Sequence, residues 1–107
     1  MNPAQSEHDI LNEILRWLAN NRPDILVWRN TVGVFHTVDV GRTIRIGLPG
    51  SSDLIGVLPD GRFLGIEVKT ATGAERKNQV AFRMAVERRG GRCFVARSVE
   101  DVRRELP

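Results

Sequence analysis

One cysteine, two histidines, no tyrosine and no long apolar run are the first features of this 107-residue chain. The lone Cys93 excludes an internal disulfide framework, and with only His8 and His36 beside it there is no Cys/His set for a structural zinc. Nothing approaches eighteen consecutive apolar residues, so a membrane-crossing helix is not expected. The start, MNPAQSEHDI, has neither the basic stretch nor the apolar run of a secretory leader, which leads to the expectation of a soluble, cytoplasmic protein. With no tyrosine and few aromatics interleaved among the cations, a platform for stacking single-stranded bases is not expected. Repeats, low-complexity tracts and linkers are also missing, and the length suits one domain spanning residues 1–107.

What is present is arginine-rich and unevenly spread. From Arg76 onward nine basic residues stand against four acids; before it seven stand against nine. A basic C-terminal part with an acid-bearing middle suits a polyanionic partner, provided the acids hold a cation. Contacts from Arg76, Lys77, Arg83, Arg88, Arg89 and Arg92 to phosphates would supply affinity without sequence information.

The element pattern is that of a mixed α/β sandwich. Ser6 caps a helix whose apolar set, Ile10, Leu11, Ile14, Leu15 and Leu18, has helical spacing to about Asn20, and Pro23 stops it. Residues 25–46 are β-rich, with Val34, His36, Val38 and Val40 alternating, a turn at Gly41, then Thr43–Ile46; an extra strand near 25–29 is compatible with the pattern. His36 on that alternation reads as a core histidine. A second helix is expected over Ala74–Arg89, closed by Gly90-Gly91, then a buried strand Arg92–Ala96 and a helix Val99–Leu106 capped by Ser98. Trp17, Trp28, Met84 and Cys93 read as core or interface packing.

Between residues 53 and 69 the reading becomes chemical. Pro59-Asp60-Gly61 separates two β-rich runs and predicts a three-residue hairpin loop with a left-handed glycine. In that register paired positions place Asp53 opposite Glu67, and one face carries Asp53, Ile55, Val57, Phe63, Gly65, Glu67 and Lys69. The other face, Leu54, Gly56, Leu58, Leu64, Ile66 and Val68, is wholly apolar, so the hairpin should be central and covered on both sides. Two facing carboxylates repel by about 3 kcal/mol at ~5 Å and an effective dielectric near 20. A divalent cation removes the conflict, and hard oxygen ligands suit Mg²⁺ or Mn²⁺. Lys69, on the same face, could contact a phosphate or water oxygen, a set able to support in-line hydrolysis of a phosphodiester. The competing reading of a bare Glu-x-Lys is an ordinary strand-end ion pair, with Asp53 closing a turn.

Gly50-Ser-Ser-Asp53-Leu-Ile-Gly, Asp60-Gly-Arg-Phe-Leu-Gly-Ile-Glu67-Val-Lys69-Thr and Gln79-Val-Ala-Phe82 resemble the virus-type replication-repair nuclease (VRR-NUC) domain of the PD-(D/E)XK nuclease superfamily. Trp28-Arg29-Asn30, Gly33 and the Gly90–Val95 stretch extend the resemblance over nearly the whole chain; Ser52 stands where the superfamily pattern has proline. The resemblance implies an αβββαβ core with a mixed central sheet flanked by helices. It implies Asp53 and Glu67 as metal ligands, Lys69 as the catalytic lysine, Gln79 as the supporting glutamine, and Mg²⁺- or Mn²⁺-dependent endonucleolytic cleavage of DNA. Small stand-alone members resemble homodimeric Holliday-junction resolvases, so a homodimer acting on branched DNA is the expectation.

The family pattern also expects an acid on the first helix. At about 100° per residue Glu7 falls within the arc of Ile10, Leu11, Ile14 and Leu18, whereas Glu13 lies off it. Glu7 is preferred as a third catalytic and metal-binding carboxylate, with Glu13 as the alternative. Arg29 and Asn30 either contact a phosphate or the metal-bound water, or close a turn. Two other function classes remain: a non-catalytic DNA-binding or assembly module with a nuclease-like fold, and a small α/β domain whose ion pair is structural.

Overall fold

The structure, a computed structural model, describes residues 4–39 and 41–107; Val40, part of the expected alternation, lies outside the described residues. Helix α1 (Glu7–Asn21) starts where Ser6 Oγ accepts the Asp9 amide at 3.1 Å, and it buries Ile10, Leu11, Ile14 and Leu18. Strands β1 (Leu26–Arg29), β2 (Gly33–His36), β3 (Thr43–Ile46), β4 (Leu54–Val57) and β5 (Phe63–Val68) follow. Helix α2 (Lys77–Arg88), strand β6 (Arg92–Ala96) and helix α3 (Val99–Glu105) complete the chain, with Ser98 Oγ capping α3 through the Asp101 amide.

Four strands make one mixed sheet in the order β1-β4-β5-β6; β4 runs antiparallel to both β1 and β5, and β6 is parallel to β5. The expected hairpin register is realised: Leu54 pairs with Ile66 and Val57 with Phe63. Its loop closes through Gly61 N to Leu58 O (2.8 Å) and Leu58 N to Arg62 O (2.9 Å), with Gly61 at φ 91°. That left-handed residue opens a bulge whose twist matches the flanking strands.

The β-rich stretch before the hairpin divides differently from the expectation. Among the described residues of that stretch only Leu26–Arg29, the extra strand, joins the sheet; β2 and β3 pair with each other in a separate two-stranded ribbon. Alternation specifies two faces but not which strand is the neighbour, and the ribbon satisfies its backbone locally. His36 is therefore not a core residue. It is exposed, with Nδ1 3.4 Å from Thr43 Oγ1.

The main core lies between the sheet and α1 and α3, where Leu54, Leu58, Leu64, Ile66 and Val68 meet Ile14, Leu18 and Val102. The opposite face is not fully covered, against expectation. Helix α2 begins at Lys77 instead of Ala74, because a turn at Thr70–Gly73 and a cap at Arg76 intervene. It covers the β5–β6 side, with Phe82 edge-on to Phe63 at 6.3 Å, and leaves Trp28 and Val57 exposed. Met84 is exposed too, while Trp17 packs partly against the core and Cys93 is buried. No helix among the described residues is long and apolar enough to cross a membrane.

Candidate active site

Asp53 immediately precedes β4, on a loop held from two sides. The Asn30 amide donates to Asp53 O at 2.8 Å, and Asn30 Nδ2 donates to Ser51 Oγ (2.7 Å) and Ser52 O (2.9 Å). Of the two readings of Asn30, the structure shows the loop-closing one. The Asp53 carboxylate faces β5, where Oδ2 accepts the Val68 amide at 2.7 Å. Beneath the loop, Ser52 is 1% exposed, with Oγ 3.4 Å from Cys93 Sγ.

Glu67 and Lys69, on β5 and just past its end, are buried at 4% and 7% exposure, with Lys69 Nζ 3.9 Å from Glu67 Oε1. Gln79 reaches them from α2. Its Oε1 accepts the Arg76 amide at 2.7 Å, closing the first turn of the helix, while Nε2 donates to Glu67 Oε1. One side chain thus joins the helix start to the buried carboxylate, a contact consistent with the i, i+3, i+7 ridge of Gln79, Phe82 and Val86.

Burial raises both acids. Removal from water, with the Asp53 charge next, pushes Glu67 from 4.5 up to about 7, against the pull of Lys69. Asp53 is raised mainly by burial, opposed by the Val68 amide; the Glu7 charge adds to the rise. Glu75, paired with Arg83 at 3.0 Å, adds to the field on Glu67. That pair joins the loop to α2 across eight residues, and no helical spacing announced it because Glu75 precedes the helix.

Glu7 lines a cleft of about 200 Å³ with His8, Leu11, Arg29, Asp53 and Val68. Arg29 is therefore placed beside Asp53, whereas Glu13 is exposed and hydrogen-bonded to Gln5. His8 was missed by the sequence reading; its i, i+3 relation to the buried Leu11 was the available signal. Its Nε2 lies 3.1 Å from Asn12 Nδ2.

The donor set fits a hard divalent cation in one specific manner. Asp53 Oδ1 and Glu67 Oε2 accept no protein hydrogen bond among the described residues. No unpartnered side-chain oxygen there is fully buried, so both oxygens reach solvent. Among the described residues no cluster of three or more His, Cys, Asp or Glu side chains is arranged to hold a metal alone. Two carboxylate oxygens with the remaining positions left to water and substrate is the arrangement Mg²⁺ favours. No known family's model matches the chain, and no curated protein matches it.

Proposed function

We propose that the protein is a Mg²⁺- or Mn²⁺-dependent DNA endonuclease of the VRR-NUC kind, hydrolysing phosphodiester bonds in branched DNA. The observation that carries the reading is the meeting of Asp53, Glu67 and Lys69 at one end of the sheet. Two carboxylates there have raised pKa values, and each keeps one oxygen that accepts no protein hydrogen bond among the described residues. The order α1-β1-β4-β5-α2-β6, with the ribbon as an insertion, supports it by following the αβββαβ core of PD-(D/E)XK nucleases.

Asp53 and Glu67 would hold the cation, with Glu7 beside them on the cleft wall. A bound cation supplies charge neutralisation and lowers the pKa of a coordinated water. Lys69 stands where its ammonium can face a non-bridging phosphate oxygen and stabilise the charge that develops during attack. Gln79 orients Glu67, and Arg29 lines the phosphate approach. The dimer expectation is supported by exposed apolar residues on the open half of the sheet: Leu26, Trp28 and Val57 at 64, 46 and 38%. Two copies joined there would present two sites to a two-fold symmetric junction.

The test is cleavage of a labelled four-way junction, with linear duplex and flap controls, in Mg²⁺, Mn²⁺ or chelator. Wild type is expected to cut only with metal. Lys69→Ala, Asp53→Asn and Glu67→Gln should lower the rate by at least about a hundredfold while DNA binding survives. Equal cutting by the variants overturns the Asp53, Glu67 and Lys69 site, and binding with no cutting of any substrate overturns the nuclease reading in favour of the non-catalytic module.

A further inference from the structure

The β2–β3 ribbon leaves the sheet just after Asn30 and returns just before Ser51, so both of its roots lie at the residues that hold Asp53. Gly47, at φ 79°, lets it close: a Cβ there would stand 2.6 Å from Thr31 O. Gly50, at φ 87°, brings the returning chain against Asn78 at the start of α2, where a Cβ would stand 2.5 Å from Asn78 O. The ribbon's position relative to the site is therefore set by close backbone approaches at its base.

Pairing of Val34 with Arg45, Phe35 with Ile44 and His36 with Thr43 sorts its side chains onto two faces. Phe35, Ile44 and Ile46 share one face and cover each other, each less than half exposed, with the Phe35 ring over Gly33. Val34, His36, Thr43 and Arg45 form the other. Arg42 follows at the outer end, where its amide donates to Thr37 Oγ1 at 2.9 Å.

The ribbon carries cations that no carboxylate engages among the described residues, as do Arg16, Arg76, Lys77, Arg88, Arg89 and Arg97 elsewhere. Arg22, Arg62, Arg83, Arg92, Arg103 and Arg104 are engaged by carboxylates. Among the described residues Arg29, Arg42 and Arg45 form no ion pair, and Asp39 is the sole acid between Arg29 and Asp53 in the sequence. An element with no core of its own, unpaired arginines and roots at the carboxylates is suited to a polyanion that also reaches the site. Paired strands lie about 4.8 Å apart, and the major groove, about 12 Å wide, admits a two-stranded ribbon.

We propose that the β2–β3 ribbon is a DNA-binding arm that lies in the major groove of the duplex flanking the scissile phosphate, with Arg42 and Arg45 on backbone phosphates. This rests on the nuclease reading and adds the duplex-contacting element that the carboxylate site itself lacks. A second copy packed on the ribbon would instead use Phe35, Ile44 and Ile46, and it would leave the arginines without a role.

The experiment is fluorescence anisotropy of a labelled duplex and a four-way junction, with Ca²⁺ present, over a series of salt concentrations. The proteins are wild type, the double variant Arg42→Ala/Arg45→Ala, the double variant Arg42→Lys/Arg45→Lys, and a chain in which residues 34–45 are replaced by Asn-Gly. Removing two phosphate contacts should weaken binding about tenfold or more and flatten log K against log salt by about 1.8. The lysine variant should keep the wild-type slope, and the shortened chain should lose at least as much as the alanine variant. The alanine variant tests the arm without removing any backbone pairing. An unchanged slope in it overturns the proposal, even where Lys69→Ala abolishes cleavage and the nuclease reading stands. A shortened chain that turns from dimer to monomer at unchanged slope overturns it in favour of self-association. Absence of DNA binding by wild type overturns both readings together.

Discussion

Glu67 is a strand residue at 4% exposure facing another acid, and its surroundings set its protonation before any ligand is considered. The folded chain holds its proton up to about pH 7, whereas the unfolded chain releases it near 4.5. Between those values the native state binds more protons than the unfolded one, so stability falls as pH rises. The contribution is fully present below about pH 4.5 and is lost as pH passes about 7; a shift of this size corresponds to at most roughly 3 kcal/mol. Urea unfolding of the metal-free protein across pH 4.5–7.5 should show this decline, and Glu67→Gln should flatten most of it. Added Mg²⁺ or Mn²⁺ should raise stability most at the upper end, where the ionised carboxylate is present to bind it. A wild-type profile as flat as that of the variant would show that Glu67 titrates normally.

Strand β5 illustrates how tightly an element can be specified at one position. Gly65 is buried between β4 and β6, and a Cβ there would stand 2.6 Å from Ser52 Oγ and 3.0 Å from Cys93 Sγ. Ser52 cannot retreat freely, because Asn30 grips its carbonyl and the next residue is Asp53. Gly65→Ala should therefore destabilise by about 1–3 kcal/mol, as overpacking of a dense core does. Ser52→Ala in the same chain should recover part of the loss by deleting the hydroxyl. Denaturant midpoints of the single and double variants measure both effects. If Gly65→Ala unfolds at the wild-type midpoint, the space beneath Asp53 is larger than these distances state. On α2 the comparable constraint is Gln79, whose two amide ends serve the helix cap and Glu67 together.

At the scale of the molecule, the two sides of the sheet are unequal. α1 and α3 seal one side, whereas α2, twelve residues long, covers only the β5–β6 half of the other. The uncovered rows join Leu26 and Val57, and then Trp28 and Ile55, and the next row along the strands is that of Asp53 and Glu67. Light scattering should give a dimer mass for wild type, and Trp28→Glu should shift it to monomer at micromolar concentration with the circular dichroism spectrum retained. Wild type at monomer mass would assign the open face to something other than a second copy.

Much of this architecture was legible in local sequence. Ser6 and Ser98 mark helix starts through side chains that cap amides three residues away, and the stripe from Ile10 to Leu18 identifies the buried side of α1. Pro59-Asp60-Gly61 determines the hairpin register, because a left-handed glycine at that point fixes the loop length, and the register alone puts Asp53 opposite Glu67. Partner choice was not legible. Gly33–His36 and Thr43–Ile46 alternate as sheet strands would, yet among the described residues they pair only with each other, and β1 takes the edge of the sheet. The inward turn of Asn30, the approach of Arg29 and His8 to Asp53, and the raised pKa of Glu67 arise from groups far apart in the chain. Caps, turns and stripes act over a few residues, so sequence by itself determined them. Pairing, coverage and burial are competitions among distant segments for the same surface, and only the tertiary structure decided those.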